Sequence, residues 1–153
     1  MAGRMVTAVL RRAEAQRPCH GGAVRTRSSQ SATALAGFLA GAGALHFLAP
    51  APYDGIVPRA LPGRPRTWTY LSGLAELGCA GLVAARRTRR SGALLAALLF
   101  IAVFPANVRM AVEWSKRPWP YRLAAFGRLP LQVPLVLWAL RVHREAAKDQ
   151  EVH

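Results

Sequence analysis

Residues 91–112 read SGALLAALLFIAVFPANVRMAV, and a single charge, Arg109, interrupts them. As a helix rising about 1.5 Å per residue, this run covers about 33 Å, against about 30 Å of bilayer hydrocarbon. Working outward, three more apolar stretches of similar length appear, at 32–49, 67–85 and 121–140. The second and third are joined only by Arg86–Arg90, and so short a connection permits only an antiparallel helical hairpin. The pattern predicts an all-α fold, an antiparallel bundle of four transmembrane helices spanning 32–142. A basic leader (1–31) precedes it and a charged tail (143–153) follows.

The leader is rich in Arg, Ser and Ala and holds Pro18 and Gly21-Gly22. Its apolar run, Met5–Leu10, is too short for a secretory signal core. It reads as disordered or as a loose surface helix. Between the first and second spans, 51–66 carries Pro52, Pro58, Pro62 and Pro65 together with Tyr53, Ile56 and Val57. That apolar content predicts a packed loop rather than a bare linker. Pro50 and Pro52 should stop the first helix, while Pro105, Pro130 and Pro134 should bend the third and fourth.

Of 153 residues, 52% are hydrophobic, yet the net charge is +14. The arginines border apolar segments rather than forming one stripe, which points to anionic lipid headgroups and away from nucleic acid. With four crossings both termini share a face with the Arg86–Arg90 loop. Thirteen basic residues lie on that face against six opposite. The positive-inside rule then predicts cytoplasmic termini in a multi-pass protein of the cell inner (plasma) membrane. Trp68, Tyr70, Trp114, Trp119 and Tyr121 fall at the opposite, outer interface, as an aromatic belt would.

Polar groups inside a span are costly, so they are the best pointers to a site. Counted inward from the outer boundary, His46 lies about 6 Å deep, Asn107 and Arg128 about 9 Å, and Glu76 about 12 Å. Ser72, Glu76 and Cys79 share one face of the second span by their i, i+4, i+7 spacing, and Arg128 and Gln132 are four apart on the fourth. His46, Ser72, Glu76, Asn107, Arg128 and Gln132 therefore form the candidate buried polar cluster. A Glu76–Arg128 ion pair would neutralise it. Such a cluster serves as structural glue between helices or as a ligand or proton site, unless Arg128 simply faces an outer vestibule. Arg109 and Glu113, also four apart, should pair locally.

Gly37 and Gly41 form a GxxxG spacing, which predicts a helix-packing face and a candidate seam for a homo-oligomer. Cys19 and Cys79 form no CxxC and no disulfide framework, and Cys79 reads as a small packing residue. Neither a metal-ligand spacing nor a hydrolase, dinucleotide or phosphate-loop motif occurs. With seven acids in all, and Glu76 alone deep in a span, paired-carboxylate hydrolysis is excluded.

The order of several short strings resembles the DoxX-like membrane proteins of bacteria. These are Ala44-Leu45-His46-Phe47 with Pro50, Tyr53, Ile56-Val57-Pro58 and Leu61-Pro62; Tyr70-x-Ser72-Gly73-x-x-Glu76; Phe104-Pro105-Ala106-Asn107; and Arg128-Leu129-Pro130-Leu131-Gln132. The resemblance covers about 33–142 and implies a four-helix protein of the bacterial inner membrane. It also implies an association with thiosulfate:quinone oxidoreductase or with stress-response redox complexes, hence a redox-protein partner. Three functional readings stay open. One is an accessory or small-molecule-binding component that is not an autonomous enzyme. The second is a membrane part of an oxidoreductase handling a quinone near Glu76, with Arg128 and His46 assisting. The third is a small proton-coupled transporter.

Overall fold

The computed structural model of the chain describes residues 20–58 and 61–151. Among the described residues there are five helices and no strand: α1 (His20–Leu48), α2 (Pro50–Asp54), α3 (Pro65–Ala84), α4 (Arg89–Trp114) and α5 (Trp119–Glu151). Proline sits in the first turn of both α2 and α3, where a missing N–H costs nothing. The expected stop before Pro50 is met, since α1 ends at Leu48 and the chain restarts at once as α2.

Three helices are long and apolar enough to cross a membrane: Ser29–Leu48 within α1, all of α4, and Trp119–Gln150 within α5. The remaining expected span, the second at 67–85, corresponds to α3. It has the length, 20 residues, but Arg66, Ser72 and Glu76 lower its apolar character. Large apolar side chains stand exposed around the bundle, among them Leu74 at 62%, Ile101 at 54% and Leu137 at 60%. So much outward apolar surface fits a lipid surround better than water.

Both end helices outrun the expected boundaries. Residues 20–31, expected in a disordered or loose leader, belong to α1, while 1–19 lie outside the described residues. The charged tail does not leave the helix either. Arg141 and Glu145 pair at 3.0 Å one turn apart, and between them His143 meets the Arg90 carbonyl through Nδ1 at 2.9 Å. The expected bends do not divide the helices: α4 continues through Pro105, and α5 through Pro130 and Pro134.

The α3–α4 turn is closed by its own side chains. Thr88 Oγ1 donates to the Leu82 carbonyl (2.9 Å), and Arg89 Nε and Nη2 donate to those of Val83 and Ala84 (3.1 and 3.3 Å). These are carbonyls that a helix C-terminus leaves unsatisfied, and a cation suits them. Gly92 is required here, because an added Cβ would lie 2.6 Å from Leu82 Cβ and 2.7 Å from the Val83 nitrogen.

Beyond the turn lies the main core, dense in alanine: Ala32, Ala36, Ala80, Ala93, Ala96, Ala97 and Ala139, filled out by Leu35, Leu39, Val83 and Val142. Small side chains let helices approach closely, so dispersion contacts accumulate. Cys79 is buried in this core, as its packing role predicts. Packing is most extensive between α1 and α3 and between α4 and α5. The α3–α4 contact joins the two pairs, the α1–α5 side is the thinnest, and the diagonals α1–α4 and α3–α5 barely meet.

The GxxxG pair is not the internal packing face. A Cβ added at Gly37 or Gly41 would meet nothing within 4 Å. The close approach of α1 to α3 falls instead at Gly43 and Gly73. A Cβ at Gly43 would lie 2.9 Å from the Gly73 carbonyl oxygen, and one at Gly73 would lie 2.7 Å from His46 Cβ.

Candidate ligand cavity

That Gly43–Gly73 contact sets up the site. One turn further along each helix, His46 faces Glu76, with Nδ1 3.4 Å from Oε2. The imidazole Nδ1 is also 2.9 Å from the Ala42 carbonyl, its own i−4 oxygen. With the ring proton given to that carbonyl, Glu76 Oε2 is buried without a hydrogen bond. His46 is fixed from its other side by Tyr53, whose ring stacks on it with centroids 4.0 Å apart at 29°.

Above the alanine core, at the end away from the 85–88 turn, the helices enclose a cavity of about 410 Å³. All six candidate residues line it: His46 from α1, Ser72 and Glu76 from α3, Asn107 from α4, and Arg128 and Gln132 from α5. Phe38, Phe100 and Leu135 line it where it meets the core. Most of the remaining wall is apolar. That composition, a few polar groups converging in an apolar hollow, is typical of a small-molecule site.

The partners within the cluster differ from those expected. Glu76 and Arg128 make no ion pair: Glu76 stands against His46, and Arg128 has neither hydrogen bond nor ion pair with any described residue. The reason is the helix order. α3 and α5 are diagonal in the ring, so the two charges look across the cavity instead of meeting. Gln132 makes the main polar tie between α4 and α5. Its Nε2 donates to the Phe100 carbonyl, and its Oε1 accepts from Asn107 Nδ2 at 3.1 Å. Arg109 and Glu113 pair at 2.7 Å on the surface of α4, as their spacing predicts.

Several lining residues were legible in the sequence only as a packed loop, not as part of the site. Residues 50–58 and 61–64 lie over the end of the cavity away from the 85–88 turn, contributing Tyr53, Ile56, Val57, Pro58 and Leu61. Asp54 fastens it: Oδ1 accepts from Thr69 Oγ1 at 2.7 Å and Oδ2 from Arg66 Nε at 2.8 Å. Trp68 Nε1 donates to the Pro62 carbonyl at 2.8 Å. The expected packed loop is thus present, and it closes over the site. The one available hint was Asp54 itself, a lone acid in a proline-rich, basic stretch. At the same end, Arg117 lies over the rings of Trp114 and Tyr121 at 5.3 and 5.8 Å, within the expected aromatic belt.

No curated protein and no solved structure matches the chain. The resemblance to DoxX-like proteins is overturned, because the family model that matches is a different one. It runs over residues 35–143 and so takes in every helix that lines the cavity. The redox partner and the bacterial setting, which rested on that resemblance, lose their support with it. The chain belongs to the family described as Domain of unknown function (DUF8561).

Proposed function

We propose that this is a multi-pass protein of the cell inner (plasma) membrane that binds a small lipophilic molecule, acting as an accessory component rather than as a catalyst. In this reading α3 is the fourth membrane crossing. Its 20 residues cover about 30 Å; of the groups that make it less apolar, Arg66 is exposed in the first turn and the others are turned toward the bundle. Thr69 is buried and Ser72 and Glu76 line the cavity, while Leu71 and Leu74 are exposed on the outer surface. Four crossings put both termini with Arg86–Arg90 on the cytoplasmic face, where the excess of basic residues favours them. Cysteines introduced at Arg87 and at Ser115 test this. In intact cells an impermeant thiol reagent should label only the one at Ser115, and labelling of the other overturns the topology.

The observation that carries the binding role is the convergence of His46, Glu76, Asn107, Arg128 and Gln132 on one largely apolar cavity of about 410 Å³. Polar groups serving only as glue would be expected to satisfy one another. Here the exposed Arg128 has no hydrogen bond or ion pair among the described residues, and Glu76 keeps a buried oxygen without a hydrogen bond. Protein purified in mild detergent should carry a lipophilic small molecule that solvent extraction releases for mass spectrometry. Val103→Phe, which fills the cavity from α4, should remove it while leaving assembly intact. Native protein that carries no such molecule and takes up none from a lipid extract defeats the reading.

A further inference from the structure

We infer that the cavity's ligand is a single-chain amphiphile with an anionic head, held at Arg128 and admitted sideways from the membrane between α1 and α5. This rests on the small-molecule reading above and gives it a chemical class and a route.

Four observations lead there. The α1–α5 side is the thinnest wall of the ring. A second, smaller cavity of about 170 Å³ lies beside α2 where the ends of α1 (Leu45, Ala49), α4 (Met110, Trp114) and α5 (Ala124, Arg128) come together. Arg128, Tyr53 and Ile56 line both cavities, so the guanidinium stands where the two adjoin. Finally, Phe38 of α1 and Leu131 of α5 line the main cavity and are also exposed on the outside of the bundle. The seam is closed toward the turn end, where the Phe38 ring meets that of Trp138 and Trp138 Nε1 donates to Ser31 Oγ, so any entrance lies nearer Arg128.

The charge pattern selects the head group. Arg128 is exposed rather than buried, it has five N–H donors and no hydrogen-bond partner among the described residues, and a guanidinium with all its donors open favours an anion. Glu76, the acid that could have neutralised it, is on the opposite wall beside His46. The depth suits this too. Arg128 lies about 9 Å inside the outer boundary, and the next two turns of α5 toward the core present Leu131 and Leu135 beside Phe38 and Phe100. A chain running inward from Arg128 follows these apolar groups and the amide of Gln132 along α5, with Asn107 and Glu76 on the other walls of the same cavity. A volume near the low end of the range for ligand pockets, about 300–1,000 Å³, fits one chain rather than two. Carboxylate and phosphate heads share the required chemistry.

The test is native mass spectrometry of the intact protein in mild detergent, offered palmitate, lysophosphatidate of the same chain, or the neutral monoglyceride. Both anions should form one-to-one adducts, at least about tenfold tighter than the monoglyceride, as one charged hydrogen-bonded contact would provide. Whichever anion binds more tightly identifies the head group. Arg128→Met should erase the preference for anions over the monoglyceride, and Arg128→Lys should keep it. Equal binding of all three amphiphiles to the native protein overturns the anion inference and leaves the cavity reading standing. Binding of none of them, with no other molecule retained, overturns both. The comparison within the native protein needs no variant to fold. For the route, Ala124→Trp should slow loading several-fold, and an unchanged rate rules out the α1–α5 side as the entrance.

Discussion

At the turn end of the bundle the long helices are held together by alanines; at the opposite end the same helices stand around a cavity. The difference is one of side-chain size and polarity. Ala80, Ala93, Ala96, Ala97 and Ala139 bring the helix backbones near enough to leave little room. Further along, Phe38, Phe100, His46, Tyr53 and Gln132 hold the helices apart, and hydrogen bonds and ring stacking replace close packing. One half provides rigidity without chemistry. The other keeps costly polar groups in place because the first half fixes the helices that carry them.

The sharpest way to break that contrast is to spoil the dense half. Gly92→Leu would push a Cβ into the Leu82 side chain and the backbone of Val83, with contacts of 2.6–2.7 Å, most of them to backbone that cannot yield. Overpacking of this kind should cost about 3 kcal/mol or more. Thermal unfolding in detergent should show loss of the cooperative transition, and retention of the native midpoint would mean that the turn is not the anchor proposed.

How much of this was legible beforehand divides along the same line. Helices are read well from sequence because an apolar run of membrane length has few other folds open to it. Counting depth from the outer boundary placed His46, Glu76, Asn107 and Arg128 in one layer, and all four line one cavity. What periodicity cannot supply is the order of helices around the ring. A face is defined by spacing within one helix, whereas a partner depends on which helix stands next to it. Hence the expected Glu76–Arg128 contact, drawn between two diagonal helices, gives way to His46–Glu76 between adjacent ones. The role of Asp54 was hidden for a related reason, since Thr69 lies 15 residues away, across a proline-rich segment. The ends of α1 and α5 escaped because helix persists beyond the lipid wherever i, i+4 pairs such as Arg141–Glu145 support it.

Glycine gives the finest test, because Gly43 of α1 meets α3 whereas Gly37 and Gly41 of the same helix have nothing within 4 Å of an added Cβ. Gly73→Ala, on the α3 side of that contact, would place its Cβ 2.7 Å from His46 Cβ, 2.8 Å from Phe47 Cε2 and 3.0 Å from the Gly43 carbonyl oxygen. Separating the helices there should cost about 1–3 kcal/mol and draw His46 away from Glu76. Gly41→Ala adds a methyl that meets nothing within 4 Å, so the unfolding midpoint should change by no more than about 0.5 kcal/mol in equivalent stability. If the two substitutions were equally damaging, α1 would have to meet α3 through its GxxxG face, and the His46–Glu76 register would be wrong. If Gly41→Ala left the fold intact but dissociated a dimer, the spacing would act between chains, where nothing inside the bundle competes for it. Stability and oligomeric state, measured on the same two variants, therefore separate a contact made within the chain from one made between copies.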